Sequence, residues 1–302
     1  MKEELEQFII EFVASTELNR LPEKYEGGSV FSTPKMGIAR GDDPIFEKFK
    51  EVVGPRHLTP LELWLACEQV ELPASDLRII SIVFPYDDKI RKESNNIIKI
   101  RKRLILPQEI YSIARNYEKE IRQETCRQVI NFLKIKGYRA DASLLSVDNL
   151  ITKGAFHSNW SERHIAFAAG LGTFSLTDAL ISELGCNIRI VSVITNAPIE
   201  VTPRKSDDPY ANCLFYAKGT CKKCVERCPY GCISENGHDR MKCAASYGRV
   251  ELTSSRRLDS ILKPHYRRIN GVVIHQLPTP TGCALCQFEV PCMDKNPMAT
   301  EQ

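Results

Sequence analysis

Little in this sequence ties the protein to a membrane, to secretion or to a nucleic-acid backbone. No run of about eighteen apolar residues occurs, so no spanning helix is expected. The opening stretch, MKEELEQFIIEFVAS, carries acids where a secretory leader carries bases, and a soluble, cytoplasmic protein is expected. Charge of one sign is missing too. The 41 Lys and Arg nearly balance the 38 Asp and Glu, leaving a net charge of +3, short of the basic surplus of nucleic-acid modules. Low-complexity tracts are absent, and no internal repeat appears beyond paired cysteine sets.

What the chain does have is cysteine, 12 residues of it, nine within about the last ninety positions, of which eight fall into two sets. Cys213, Cys221, Cys224 and Cys228 come from CLFYAKGTCKKCVERCP; Cys243, Cys283, Cys286 and Cys292 form a second set ending in GCALCQFEVPC. Cys221-x2-Cys224-x3-Cys228-Pro229 matches the tail of the bacterial ferredoxin run, whose last cysteine reaches across to the other cluster. Thiolates select soft metals, and cysteines two residues apart can meet one centre from a single turn. The reading is two [4Fe–4S] clusters. With the ferredoxin crossover, one sits on Cys213, Cys221, Cys224 and Cys292 and the other on Cys228, Cys243, Cys283 and Cys286.

Two structural zinc sites are the rival, since both CxxC pairs also have zinc-ribbon spacing. Zinc on those pairs leaves Cys213, Cys228, Cys243 and Cys292 without a role. A disulfide framework needs an oxidising compartment that nothing in the opening residues announces. Cys67, Cys126 and Cys186 stand among apolar residues and read as core packing. Cys232, in PYGC, reads as a bystander in the turn after Cys228.

At 302 residues and 43% hydrophobic content the chain can bury one large core plus an accessory domain. Leu5, Phe8, Ile9, Phe12 and Val13 share one face of a short opening helix. LRIISIVFPY, Leu77 to Tyr86, reads as a strand buried on both faces. From about Gln108 to Lys136 the period at Ile113, Tyr117, Ile121, Thr125, Val129 and Leu133 predicts a long helix stopped by Gly137. Asn159 and Glu162 read as a capping box opening the helix ERHIAFAAG, and NIRIVSVIT, Asn187 to Thr195, reads as another strand. Strands alternating with helices give an α/β layer. The polar, three-proline stretch Pro198 to Tyr210 marks a boundary, giving residues 1–198 as an α/β domain and 199–302 as a cluster domain. The basic run Lys89 to Arg103 and the arginines Arg256, Arg257, Arg267 and Arg268 read as solvated surface, with docking of an acidic or phosphate-bearing partner as the alternative. Trp64 and Trp160 read as core payload.

The string ERHIAFAAGLGTFSLTDALISELGCNIRIVSVITNAPIE, followed by the two cysteine sets, resembles the epoxyqueuosine reductase family, which shares a core with reductive dehalogenases. The resemblance runs from about Gly41 to Pro297. It implies a corrinoid-binding α/β domain, nitroreductase-like at its core, followed by a ferredoxin-like two-cluster domain. It implies cobalamin with its lower base detached, held along Gly170, Leu171, Gly172, Thr173 and Phe174. It also implies a low-potential electron donor of ferredoxin or flavodoxin type and a small-molecule or modified-nucleoside substrate.

Three departures from that family stand out. Its active-site aspartate falls at Phe156 or His157, its GLG-aromatic-x-GK pattern here reads GLGTFSL, and the sequence stops at Gln302, where many tRNA-acting members continue into a helical extension. The substrate is therefore expected to differ from the usual tRNA epoxide. The replacement proton donor is expected at His157, with Glu162 and His164 behind it. A non-catalytic electron carrier or corrinoid-reducing activator is the alternative.

Overall fold

The computed structural model describes residues 1–100, 104–146, 151–152, 157–246, 265–269, 272–276 and 283–299. Among these no helix is long and apolar enough to cross a membrane. The fold is α/β, built on an antiparallel sheet of four strands: β1 (Lys35–Arg40), β2 (Arg78–Pro85), β3 (Ala140–Asp141) and β4 (Ile188–Thr195), in the order β1-β2-β4-β3. The central strands pair with Ile82 opposite Val191 and Ile80 opposite Val193.

Strand β2 is buried on both faces, as its unbroken apolar run requires, and alternation assigns each residue to a layer. Ile80, Ile82 and Phe84 pack with helix α1 (Lys2–Ser15) and the long helix α4 (Glu109–Ile135); Ile79 and Val83 pack with α2 (Ile45–Val52), α3 (Pro60–Glu68) and α5 (Glu162–Ala168). The predicted stripe of α4, from Ile113 to Leu133, is buried throughout, and Gly137 ends the helix at φ +85°. Both tryptophans are core residues whose indole N–H groups are satisfied, Trp64 by the Val70 carbonyl and Trp160 by Ser192 Oγ.

Two local expectations are corrected. Ser161, not Asn159, stands at the N-cap position of helix α5, and its side chain caps no backbone N–H: Ser161 Oγ lies 2.8 Å from His164 Nδ1, and Glu162 turns inward toward Ser192. The basic run after Lys89 is only partly solvated. Arg91 is 6% exposed and donates to the carbonyls of Leu184 and Asn187, because two loop carbonyls beside the sheet need a donor. Arg267 and Arg268 lie in a strand, His265–Ile269, whose side chains are outside the described residues, as are Arg256 and Arg257 entirely.

The cysteine-rich segment packs onto the sheet layer through a third core, in which Leu176, Ala179, Ile181 and Cys186 meet Cys213, Ile233 and Val290. Phe288 is fully buried in the main core, its ring 5.1 Å from that of Tyr111.

Candidate functional site

A short hairpin organises the site. Its strands, Gly172–Phe174 and Leu180–Ser182, pair antiparallel, and its tip closes with Ser175 N–H donating to the Ala179 carbonyl and Asp178 N–H to that of Ser175. Asp178 sits at φ +59°, a conformation the sequence does not announce with a glycine.

One side of the tip, Ser175, Leu176 and Thr177, faces a narrow cavity whose wall includes Cys213, Cys221, Cys224 and Cys292, with Cys286 beside them. These first four are the set that the crossover pairing groups together. The Cys224 thiol is pushed up to about 12, by burial and then by Cys292, Cys213 and Cys221 around it. The second set converges similarly: the Cys283 thiol is pushed up to about 12 by burial, with Cys228 and Cys243 among its neighbours, and Cys286 is raised by burial and then by Cys283, Cys228 and Cys243. Packed thiols that each hinder the ionisation of the next are relieved by a bound cation, which inverts that electrostatics. Among the described residues no three His, Cys, Asp or Glu side chains form a site for a single metal ion.

Two cysteines outside the sets touch them. Cys186 is core, as expected, yet its Sγ lies 3.7 Å from Cys292 Sγ, and it keeps its proton while Cys292 ionises more readily. Cys232 is 2% exposed, and its backbone N–H donates to Cys228 Sγ at 3.2 Å. Cys126 is fully buried, and Cys67 packs half-buried against the second core.

The other side of the tip, Phe174 and Asp178, faces the large cavity, about 670 Å³, walled by Phe49, Phe167 and Ile45 and edged by Lys48, Arg163, Arg204 and Arg240. That volume lies within the range of small-molecule sites. His164 lines it, but burial, with Arg163 adding to it, pushes the imidazole down to about 3, so the ring is neutral at physiological pH. Asp178 is held down at about 2 despite its burial, by His238 and Arg240, whose nitrogens stand 3.1 and 2.7 Å from Oδ2. His238 is raised to about 9 by Asp178 and then by Cys243, which it also hydrogen-bonds. A polar chain thus runs from the large cavity through Asp178 and His238 to the second thiol set. Asp178, His238 and Arg240 were not among the residues singled out in the sequence; Asp178 lies about sixty residues before the other two, and only folding joins them.

The expected donors are dispersed. His157 pairs with Thr152 in a short strand, and its side chain lies outside the described residues, as does Phe156. Glu162 hydrogen-bonds Ser192 and faces a different cavity, with Arg122, where burial lifts its carboxyl to about 7. The segment Gly170 to Phe174 is likewise divided. A Cβ on Gly170 would stand 2.7 Å from the Pro203 carbonyl oxygen, and one on Gly172 would stand 2.3 Å from that of Ile181. The space these glycines leave is filled by protein backbone. Leu171 is 6% exposed, and Thr173 Oγ1 accepts the Asn212 N–H. Gly170 to Thr173 border a smaller cavity of about 220 Å³, and only Phe174 of the five reaches the large one.

No protein-family profile matches this sequence, and no curated protein matches it. Solved structures do resemble it. A selenomethionine-labelled epoxyqueuosine reductase aligns with TM-score 0.49 and 17% identity over 98% of this chain and 70% of that one. An epoxyqueuosine reductase with a tRNA-Tyr epoxyqueuosine-modified stem loop aligns with TM-score 0.45 and 16% identity, over 82% and 58%. A catabolic reductive dehalogenase in complex with 3-bromo-4-hydroxybenzoic acid gives 0.44 and 16%, over 82% of this chain and 34% of that one.

Proposed function

We propose that the chain is an iron–sulfur reductase that binds two [4Fe–4S] clusters on its two thiol sets and a corrinoid in the large cavity. The first cluster takes Cys213, Cys221, Cys224 and Cys292; the second takes Cys228, Cys243, Cys283 and Cys286. So bound, the clusters supply single electrons at potentials reaching down to roughly −700 mV and the corrinoid supplies the reactive metal. The supporting observation is the hairpin tip, a single turn of chain with thiols on one side and the large cavity on the other. A cubane spreads its ligands around a cage, which suits thiols that ring a cavity without forming a single-ion site.

The chain's own residues set the rest. Phe49, Phe167 and Phe174 offer apolar surface to a flat ligand, and Arg163, Arg204 and Arg240 meet a polar periphery. Neutral His164 and ionised Asp178 are poor proton donors at neutral pH. Tyr210 also lines the cavity wall, and we assign proton delivery to Tyr210 or to His157. Residues 1–198 form the α/β part and 199–302 the cluster part, whose Arg204, Tyr210 and Arg240 reach into the large cavity; a ferredoxin- or flavodoxin-type donor supplies electrons, and the substrate is a small molecule or modified nucleoside.

EPR on anaerobic, cluster-loaded protein titrated with cob(II)alamin tests this reading. A base-off signal is expected in the wild type and its loss in Phe174→Asp at unchanged iron content. A spectrum identical to free cobalamin at saturating protein contradicts the corrinoid assignment.

A further inference from the structure

Behind the hairpin lies the cavity that Glu162 faces, about 310 Å³, between α4, α5 and β4. Arg115, Arg122, Arg163 and Arg189 line it together with Glu118 and Glu162. Arg163 is exposed and also edges the large cavity; the other three guanidinium groups against two carboxyls leave a surplus of one positive charge even with both acids ionised. Three of the arginines share one acid. Arg115 donates to Glu118 Oε1 at 2.7 Å, Arg122 Nε donates to Oε2, and Arg189 Nε stands 3.7 Å from Oε1. Glu118 is ionised in spite of its burial because of them.

The side chains are recessed but reachable, with Arg122 15% and Arg189 17% exposed. Three buried polar atoms on this wall lack hydrogen-bond partners: Glu162 Oε2, Gln287 Oε1 and Arg189 Nε. Each such orphan is destabilising unless something fills it. A charge surplus calls for an anion, and guanidinium forks match oxyanions. Gln287 Oε1 only accepts, so the ligand must also donate.

We propose that this cavity binds a phosphate-class oxyanion that carries a hydroxyl, its oxygens on Arg122 and Arg189 and its P–OH on Gln287. Neither iron–sulfur nor corrinoid chemistry requires such a site, and the proposal goes beyond the reading above. The cavity is larger than inorganic phosphate needs, leaving room for a small phosphate monoester.

Calorimetric titration of the cluster-loaded protein at neutral pH and fixed ionic strength tests it, with inorganic phosphate, sulfate and glycerol phosphate as probes. Saturable phosphate binding is expected, with sulfate at least tenfold weaker because it has no proton to give. Tighter binding of glycerol phosphate would identify a monoester as the ligand, and weaker binding would identify the free ion. Arg122→Gln should lose at least tenfold for phosphate and sulfate. Since that variant also removes a partner of Glu118, Gln287→Leu serves as the second test: it should erase the preference for phosphate over sulfate. Absence of saturable binding, equal affinity for phosphate and sulfate in the wild type, or a preference unchanged in Gln287→Leu overturns the proposal.

Discussion

At the scale of single residues, the buried histidines beside the large cavity carry a pH dependence whose sign is fixed. His57 is 1% exposed, and burial pushes its ring down to about 4; His164 falls to about 3. The unfolded chain binds their protons near the ordinary value of about 6.5, whereas the folded chain does not, so acid favours unfolding in that interval. Stability present above about pH 6.5 is lost as pH falls toward these lower values, on the order of 3 kcal/mol for His57. Urea midpoints measured from about pH 7 to about pH 5 should fall, and less steeply in His57→Gln, whose side chain can still accept the Ser161 N–H. An equal slope in the variant would exclude His57 as the source. Cys186 gives a second residue-scale prediction. As a hydrogen-bonding neighbour of Cys292, not a ligand, Cys186→Ala should keep its iron and shift the first cluster to a more negative potential in a redox titration. A halved iron content would make Cys186 a ligand. Spacing alone marks out the two thiol sets, and the Cys232 N–H that meets Cys228 is only four residues on, but Cys186 comes beside Cys292 only when distant segments meet.

Among the elements, the segment Ala169 to Gly172 acts through backbone packing. A Cβ on Gly172 would lie 2.3 Å from the Ile181 carbonyl oxygen, and one on Gly37 in β1 would lie 2.3 Å from that of Ala169. Gly172→Ala should therefore cost about 3 kcal/mol in urea unfolding, because backbone has to move. Gly137→Ala, at positive φ with nothing within 4 Å, should cost about 1 kcal/mol. Equal losses would mean that the hairpin yields easily and that this packing is not what the glycine serves. The large elements could be read from hydrophobic period: α4 from its fourfold stripe, β2 and β4 from their apolar runs. The hairpin could not. Its strands have three residues each, too short for a period, and its turn uses Asp178 at positive φ where a glycine would have announced it. The expected cap at Asn159 failed for a related reason: Glu162 hydrogen-bonds Ser192 across the core, a partner that local sequence cannot reveal.

On the scale of the whole molecule, the sheet layer and the cysteine-rich segment share cores, and the chemistry is placed where they meet. Leu176, Ala179 and Ile181 of the hairpin pack with Cys213 and Val290, while Phe288 fills the main core beside Tyr111. This arrangement ties the thiol cavity to the large cavity through one turn, so cluster loading should stabilise the whole fold and not the cysteine-rich segment alone. Loaded protein should unfold in a single transition at higher temperature than protein stripped of iron. Separate transitions, with the first unchanged by loading, would contradict that coupling. The central claim is the partition of eight thiols between two clusters, and iron and acid-labile sulfide analysis of anaerobically reconstituted wild type, Cys213→Ser and Cys126→Ser tests it most directly. The account predicts about eight irons and eight sulfides per chain in the wild type and in Cys126→Ser, and about four of each in Cys213→Ser; zinc without sulfide, or a Cys213→Ser protein with its full iron, would contradict it.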